Sequence, residues 1–138
     1  MSDPSDRVVE IYIPSELGYE KIPMSAAAAV AHRMGFSLDR VDDLKTAVAE
    51  AVTNAIEHGN RHDVEIKVLI ILTIQEKSLA LNVVDQGYQP IPHLPLEREP
   101  KLNNRGWGMF LIQNLMDEVE VVAQPGRNEI KMVIHLEH

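Results

Sequence analysis

Ser37-Leu-Asp-Arg-Val41-Asp-Asp-Leu44-Lys-Thr-Ala-Val48-Ala-Glu50-Ala-Val52-Thr-Asn54-Ala55-Ile-Glu57-His58-Gly59 is the stretch on which the fold turns. Val41, Leu44, Val48, Ala51, Val52 and Ala55 recur at helical spacing and predict one apolar helix face. Ser37 stands where a side-chain oxygen can cap the first turn, and Gly59 where the helix should stop. Glu50, Asn54 and Glu57 are spaced i, i+4, i+7 and share a second face, opposite Val41, Leu44, Val48 and Ala55.

Upstream, Val8 to Pro14 is rich in β-branched residues and reads as a strand closed by proline. The alanine run from Ile22 to Met34 favours a first helix, which Gly35 ends. Downstream, Glu65 to Ile74 and Leu79 to Asp85 predict two strands around a polar turn at Gln75 to Ser78. Gln86 to Arg105 holds four prolines and no periodicity, and a loop that long in a compact domain is usually a lid, a binding loop or a disordered segment. Gly106 to Met116 predicts a third helix. A hairpin then follows, with Glu118 to Ala123 and Glu129 to Leu136 joined at Pro125-Gly126-Arg127-Asn128. Hairpin-connected strands with two early helices predict an α+β two-layer sandwich, its sheet mixed but mostly antiparallel and covered by helices on one face.

The 138 residues suit one domain, taken as 1–135, and Leu136-Glu137-His138 resembles the start of an expression-tag scar. With no cysteine, disulfides and thiolate metal sites are excluded, which fits a cytoplasmic location. No apolar run approaches the roughly 20 residues of a membrane span, and the polar start lacks a secretory signal. Thirteen Lys and Arg against 21 Asp and Glu give a net charge of −8, which argues against binding nucleic acid through its phosphates.

Three constellations could carry chemistry. Glu50, Asn54 and Glu57 form either a solvated helix face or a pocket wall, if a second layer such as the long loop covers it. As a wall, its hard oxygens suit Mg2+, and a carboxylate there could accept a hydroxyl proton. Asp85 follows Leu79, Leu81 and Val83 on one strand face, so it points either into the interior or outward at a strand-end turn. A buried carboxylate needs donors, and the amino group of adenine is one, with Gly87 allowing a ring to come close to the backbone. Arg105-Gly106-Trp107-Gly108 opens the third helix and is either a flexible joint or a cradle of free N–H groups for phosphate, with Arg105 adding charge.

Taken in order, Glu-x-x-x-Asn…His-Gly, Asp-x-Gly and Arg-Gly-x-Gly resemble the N, G1 and G2 boxes of the GHKL (histidine-kinase-like) ATPases. Ala47 to Gly59 and Arg105 to Ile112 look typical of the anti-sigma-factor serine-protein kinases, and the likeness covers nearly the whole chain. The resemblance implies that ATP lies between a helical layer and a mobile lid, which would be Gln86–Arg105. It implies Glu50 as catalytic base, Asn54 as Mg2+ ligand and Asp85 as the adenine-reading carboxylate, with Gly87 shaping that pocket. Gly106 and Gly108 match the phosphate-binding turn, and Arg105 stands where a lid arginine could meet the terminal phosphate or the partner. The implied partners are an anti-sigma-factor antagonist as phosphoacceptor, a sigma factor to be sequestered, and a second copy in a homodimer. Two departures stand out: the glycine box is a single short Gly-Trp-Gly, and Arg105 directly precedes Gly106.

Other readings compete. One is an ATP-binding regulatory module that sequesters a partner without phosphorylating it. Another is a detached histidine-kinase catalytic domain, against which stands the lack of any segment for a phospho-accepting hairpin. Large ATP-driven clamps are excluded by the missing transducer domains. An α+β domain with no nucleotide is the plainest alternative.

Overall fold

The computed structural model of the protein describes residues 6–87 and 105–136, the side chain of Arg105 apart. Five strands form one sheet in the order β1-β2-β3-β5-β4, where β1 is Arg7–Pro14, β2 Lys67–Ile74, β3 Ser78–Asp85, β4 Glu118–Gln124 and β5 Arg127–His135. All four strand pairings are antiparallel, so the mostly antiparallel sheet of the sequence reading is antiparallel throughout the described residues. The turn between β2 and β3 closes with the Gln75 amide donating to the Ser78 carbonyl at 2.9 Å. Between β4 and β5, Pro125 and Gly126 make the turn, Gly126 at φ 78° as a Pro-Gly turn requires.

The period-two pattern puts Val68, Ile70 and Leu72 of β2 on the same face as Leu79, Leu81 and Val83 of β3 and Ile130, Met132 and Ile134 of β5. Register fixes this, since Leu81 lies between Leu72 and Met132, and Val83 between Ile70 and Ile130. All nine are buried beneath the helices. Each side chain of that size contributes roughly 1.5–3 kcal/mol by leaving water, and a slip of one residue would expose the whole set.

Helix α1, Lys21–Met34, presents buried Ala27 and Ala31. It ends in a Schellman motif: Gly35 at φ 96°, its amide bonded to the His32 carbonyl and that of Phe36 to the Ala31 carbonyl. Helix α2, Leu38–Asn54, buries Leu44, Ala47, Val48, Ala51 and Val52, and Ser37 Oγ accepts the Arg40 amide at 3.2 Å as its cap. Helix α3, Arg105–Leu115, buries Met109 and Ile112.

Helices α2 and α3 run antiparallel and touch at both ends. At one end the Arg40 guanidinium donates to the Leu115 carbonyl at 2.9 Å and to Asp117 at 3.1 Å. At the other, Gly108 lies against Glu50 and Asn54. The helix expected to run to Gly59 does continue, but its last turn, Ala55–Gly59, is π-helical, with the Asn60 amide reaching the Ala55 carbonyl at 2.8 Å. Such turns insert a residue into an α-helix and are frequent at functional sites.

Candidate functional site

Glu50 and Asn54 are half-buried one turn apart on α2, not on a solvated face. Their cover is α3. A methyl group at Gly108 would sit 2.7 Å from Glu50 Oε2 and 3.2 Å from Asn54 Nδ2, so only a residue without a side chain lets α3 approach this closely. The Asn54 amide also points at α3, its Nδ2 lying 3.9 Å from Met109 Sδ. Gly106, two residues before Gly108, is also buried. The first turn of α3 therefore lies beside the carboxylate and the carboxamide.

Burial raises the pKa of Glu50 above the ordinary glutamate value, and the negative charge of Glu57 raises it further. A carboxylate so placed is a stronger base than a solvated one. His58 is half-buried, 3.9 Å from Glu57 Oε2.

Asp85 takes the interior position that the alternation in β3 predicts and is 6% exposed. The strand-end role holds as well: Asp85 Oδ1 accepts the Gly87 amide at 2.7 Å, which fixes the carboxylate's rotamer. Gly59, closing the π-helical turn, lies directly under this carboxylate, and any side chain at 59 would overlap it. Gly87 has φ 71°, and a side chain there would lie 2.7 Å from the backbone nitrogen of Arg127. The close approach that Gly87 permits in the structure is thus to the β4–β5 turn.

One helix therefore carries the whole arrangement. Glu50 and Asn54 face α3 from its last α-helical turn, and the π turn that follows sets Gly59 beneath Asp85. Helix α3 starts at Arg105, while the arginine's side chain and nearly all of the expected lid, residues 88–104, lie outside the described residues. No group of three or more His, Asp or Glu among the described residues is placed to hold a metal ion. The donors at Glu50 and Asn54 fit an ion held by one or two protein oxygens, its other positions filled by phosphate and water, which is how Mg2+ is usually bound. A cleft of about 300 Å3 on the opposite sheet face, lined by Thr73, Ser78, Asn82, Lys131 and His135 among others, is remote from all of these residues.

Two participants escape a reading of the sequence. Gly59 reads as a helix stop, and its service to Asp85 depends on a strand that begins nearly twenty residues later. Asn60 is fully buried with partners from three other segments, and no local pattern marks it.

Comparison with known proteins agrees with this fold. The family model of the histidine kinase-like ATPase domain matches residues 13–134. The serine-protein kinase RsbW of Oceanobacillus iheyensis is 33% identical over 127 residues, covering 86% of this chain and 80% of that protein. RsbW of Bacillus velezensis is 35% identical over 127 residues, with 86% and 79% covered. Among solved structures, the RsbU and RsbW domains of Rv1364c from Mycobacterium tuberculosis superpose with a TM-score of 0.72 over 96% of this chain and 33% of that one. At 16% identity this last likeness speaks for the fold alone.

A helix-covered antiparallel sheet with these boxes defines a GHKL-type ATP-binding domain. The chain belongs to the histidine kinase-like ATPase family, in its branch of anti-sigma-factor serine-protein kinases. No described helix is long and apolar enough to cross a membrane.

Proposed function

We propose that this protein is a cytoplasmic Mg-ATP-dependent kinase that phosphorylates a serine or threonine of an anti-sigma-factor antagonist and sequesters a sigma factor when unphosphorylated antagonist is scarce. The observation that carries the reading is the packing of Gly108 against Glu50 and Asn54, on the same helix whose end holds Gly59 under Asp85. Supporting it, the relatives at 33–35% identity are named serine-protein kinases.

In this reading Asp85 accepts a hydrogen bond from the amino group of adenine, with Gly87 at the rim of the base pocket. The amide N–H groups at Gly106 and Gly108 hold phosphate oxygens, and Arg105 adds a charge-assisted contact. Asn54 contributes the oxygen ligand for Mg2+, which when bound neutralises phosphate charge and aligns the chain for in-line attack. Glu50 takes the hydroxyl proton as the acceptor oxygen bonds to the γ-phosphorus and the bond to the ADP oxygen breaks. Its raised pKa makes it a better proton acceptor than a solvated carboxylate.

The test is thermal unfolding with and without Mg-ATP, on the wild type and on Asp85→Asn, followed by single-turnover transfer to a candidate antagonist. Ligand at about a hundred times its dissociation constant stabilises the fold by roughly 2.7 kcal/mol, a shift of several degrees. The expected result is a shift in the wild type that Asp85→Asn lacks, together with phosphorylated antagonist. No shift at millimolar Mg-ATP would overturn the nucleotide site. Binding without transfer would leave a module that sequesters its partner and does not modify it.

A further inference from the structure

We infer that Asn60 is a positioning residue for base recognition, a wedge between β2 and β3 that sets where Asp85 points. The inference rests on the nucleotide-site reading above and deepens it. Asn60 directly follows Gly59 and is fully buried. Its Oδ1 accepts the amide of Gln86 at 2.7 Å. Its Nδ2 donates to Ser15 Oγ at 3.0 Å and reaches the Lys67 carbonyl at 3.4 Å. Ser15, also fully buried, donates onward to the Ile66 carbonyl at 2.5 Å.

The positions of these partners in the sheet give the arrangement its meaning. The β2–β3 ladder runs from Ile74↔Leu79 to Leu69↔Val84 and stops. Continued in that register, it would bring Lys67 opposite Gln86. Those are the two backbone groups that the Asn60 carboxamide occupies, one with its oxygen and the other with its nitrogen. A side-chain amide carries the same donor and acceptor as a peptide, so it replaces the ladder bond and holds the strands apart. On the other side β3 remains paired to its end, Asp85 against Asn128. Strand β3 is therefore anchored to β5 and released from β2 at Asp85.

The consequence falls on the carboxylate. The Gln86 amide is held by Asn60, the next amide, that of Gly87, is held by Asp85 itself, and Gly59 sits under the carboxylate. Asp85 is thus fixed from both sides by two consecutive residues, Gly59 and Asn60. Without the carboxamide, β2 and β3 are free to close by a further pair. That movement would carry the Gln86 peptide toward Lys67 and swing Asp85 with it. Asn60 touches no base in this scheme and acts only through Asp85.

The experiment measures the affinity of wild type, Asn60→Ala and Ser15→Ala for ATP and for purine riboside triphosphate, which lacks the exocyclic amino group. Wild type should prefer ATP by about tenfold or more, as expected for one lost hydrogen bond to a charged acceptor. In Asn60→Ala the preference should fall to within about twofold. Ser15→Ala loosens the same node but leaves the bond to Gln86, so its melting temperature should drop while its preference persists. An unchanged preference in Asn60→Ala, or an equal loss in Ser15→Ala, overturns the positioning role. Should Asn60→Ala not fold, amide exchange in the wild type without nucleotide decides: a protected Gln86 amide supports the wedge, and free exchange there refutes it. Wild type that binds neither nucleotide would instead sink the nucleotide site, and a protected Gln86 would then mark Asn60 as structural only.

Discussion

Replacing Gly108 by alanine sets helix propensity against the site. A glycine in a helix gains at most about 1 kcal/mol on becoming alanine. For a domain of this length that is a rise in Tm of roughly 3–4 °C. Opposing it, the new methyl carbon lies 2.7 Å from Glu50 Oε2, 3.2 Å from Asn54 Nδ2 and 3.7 Å from Glu50 Cδ. Relief requires the Glu50 carboxylate to retreat by roughly 0.7 Å to ordinary contact distance. It is the far end of a flexible, half-buried side chain, so a distorted rotamer of about 0.5–1.5 kcal/mol is the cost. Stability is therefore expected to move by no more than about 3 °C in either direction. Catalysis has no such compensation, because a misplacement approaching 1 Å costs on the order of 100-fold in rate. Thermal unfolding and single-turnover phosphorylation of the antagonist by Gly108→Ala measure the two effects separately. Transfer at the wild-type rate would refute the placement of Glu50 and Gly108 in one cleft. A loss of 10 °C, far beyond the roughly 3 °C derived, would refute the view that the Glu50 carboxylate can yield.

Other perturbations test other parts of the same frame. Because the folded pKa of Glu50 is raised, its contribution to stability is fully present below the unfolded value and is lost as pH rises through the folded one. Glu50→Gln should therefore be more stable than wild type at pH 8 and equal to it near pH 4 in urea melts, and a gain of the same size at both would contradict the burial of charge. Gly59→Ala pushes a methyl group onto a short, tethered carboxylate, so overpacking of about 1–3 kcal/mol and loss of ATP stabilisation are expected together in thermal scans. A variant that keeps both would remove Gly59 from the site. Arg40→Ala deletes three polar contacts of a guanidinium whose side chain is 22% exposed, including the one to the last carbonyl of α3. Solvent shares the two aspartates, so a loss of about 1–2 kcal/mol is expected in denaturant unfolding, and no change would make the contact incidental.

The parts of this fold that were legible in sequence are those in which a short-range rule and the tertiary structure agree. Ser37 caps α2 and Gly35 ends α1 as their local chemistry dictates. The strands alternate because one face is covered and the other is not. What local rules miss is the π turn at Ala55–Gly59. Its residues carry the same apolar spacing as the α-helix before them, and the wider turn becomes favourable only when Gly59 can lie against Asp85 and Asn60 can bridge to Gln86. The β2 boundary is a similar case. Glu65 and Ile66 extend the apolar pattern, but Asp63 takes their amides, through its side chain and its carbonyl, into a turn.

The site is a harder test, because periodicity alone spoke against it. Glu50, Asn54 and Glu57 lie opposite the apolar stripe, where a helix on the outside of a sandwich faces water. What changes the outcome is α3, a segment some fifty residues downstream whose Gly108 lacks the side chain that would hold it away. The helical pattern of α2 contains no information about that second layer, and Gly-Trp-Gly contains none about its target. Only the order of the three boxes joins them. The carboxylate, the carboxamide and the glycines are each ordinary, and each becomes intelligible through the residue it meets: Glu50 through Gly108, Asp85 through Gly59 and Gly87 through Arg127. In all three pairs a glycine on one element makes room for a specific group on another. A sequence shows where glycines stand, but what each makes room for is a property of the folded chain.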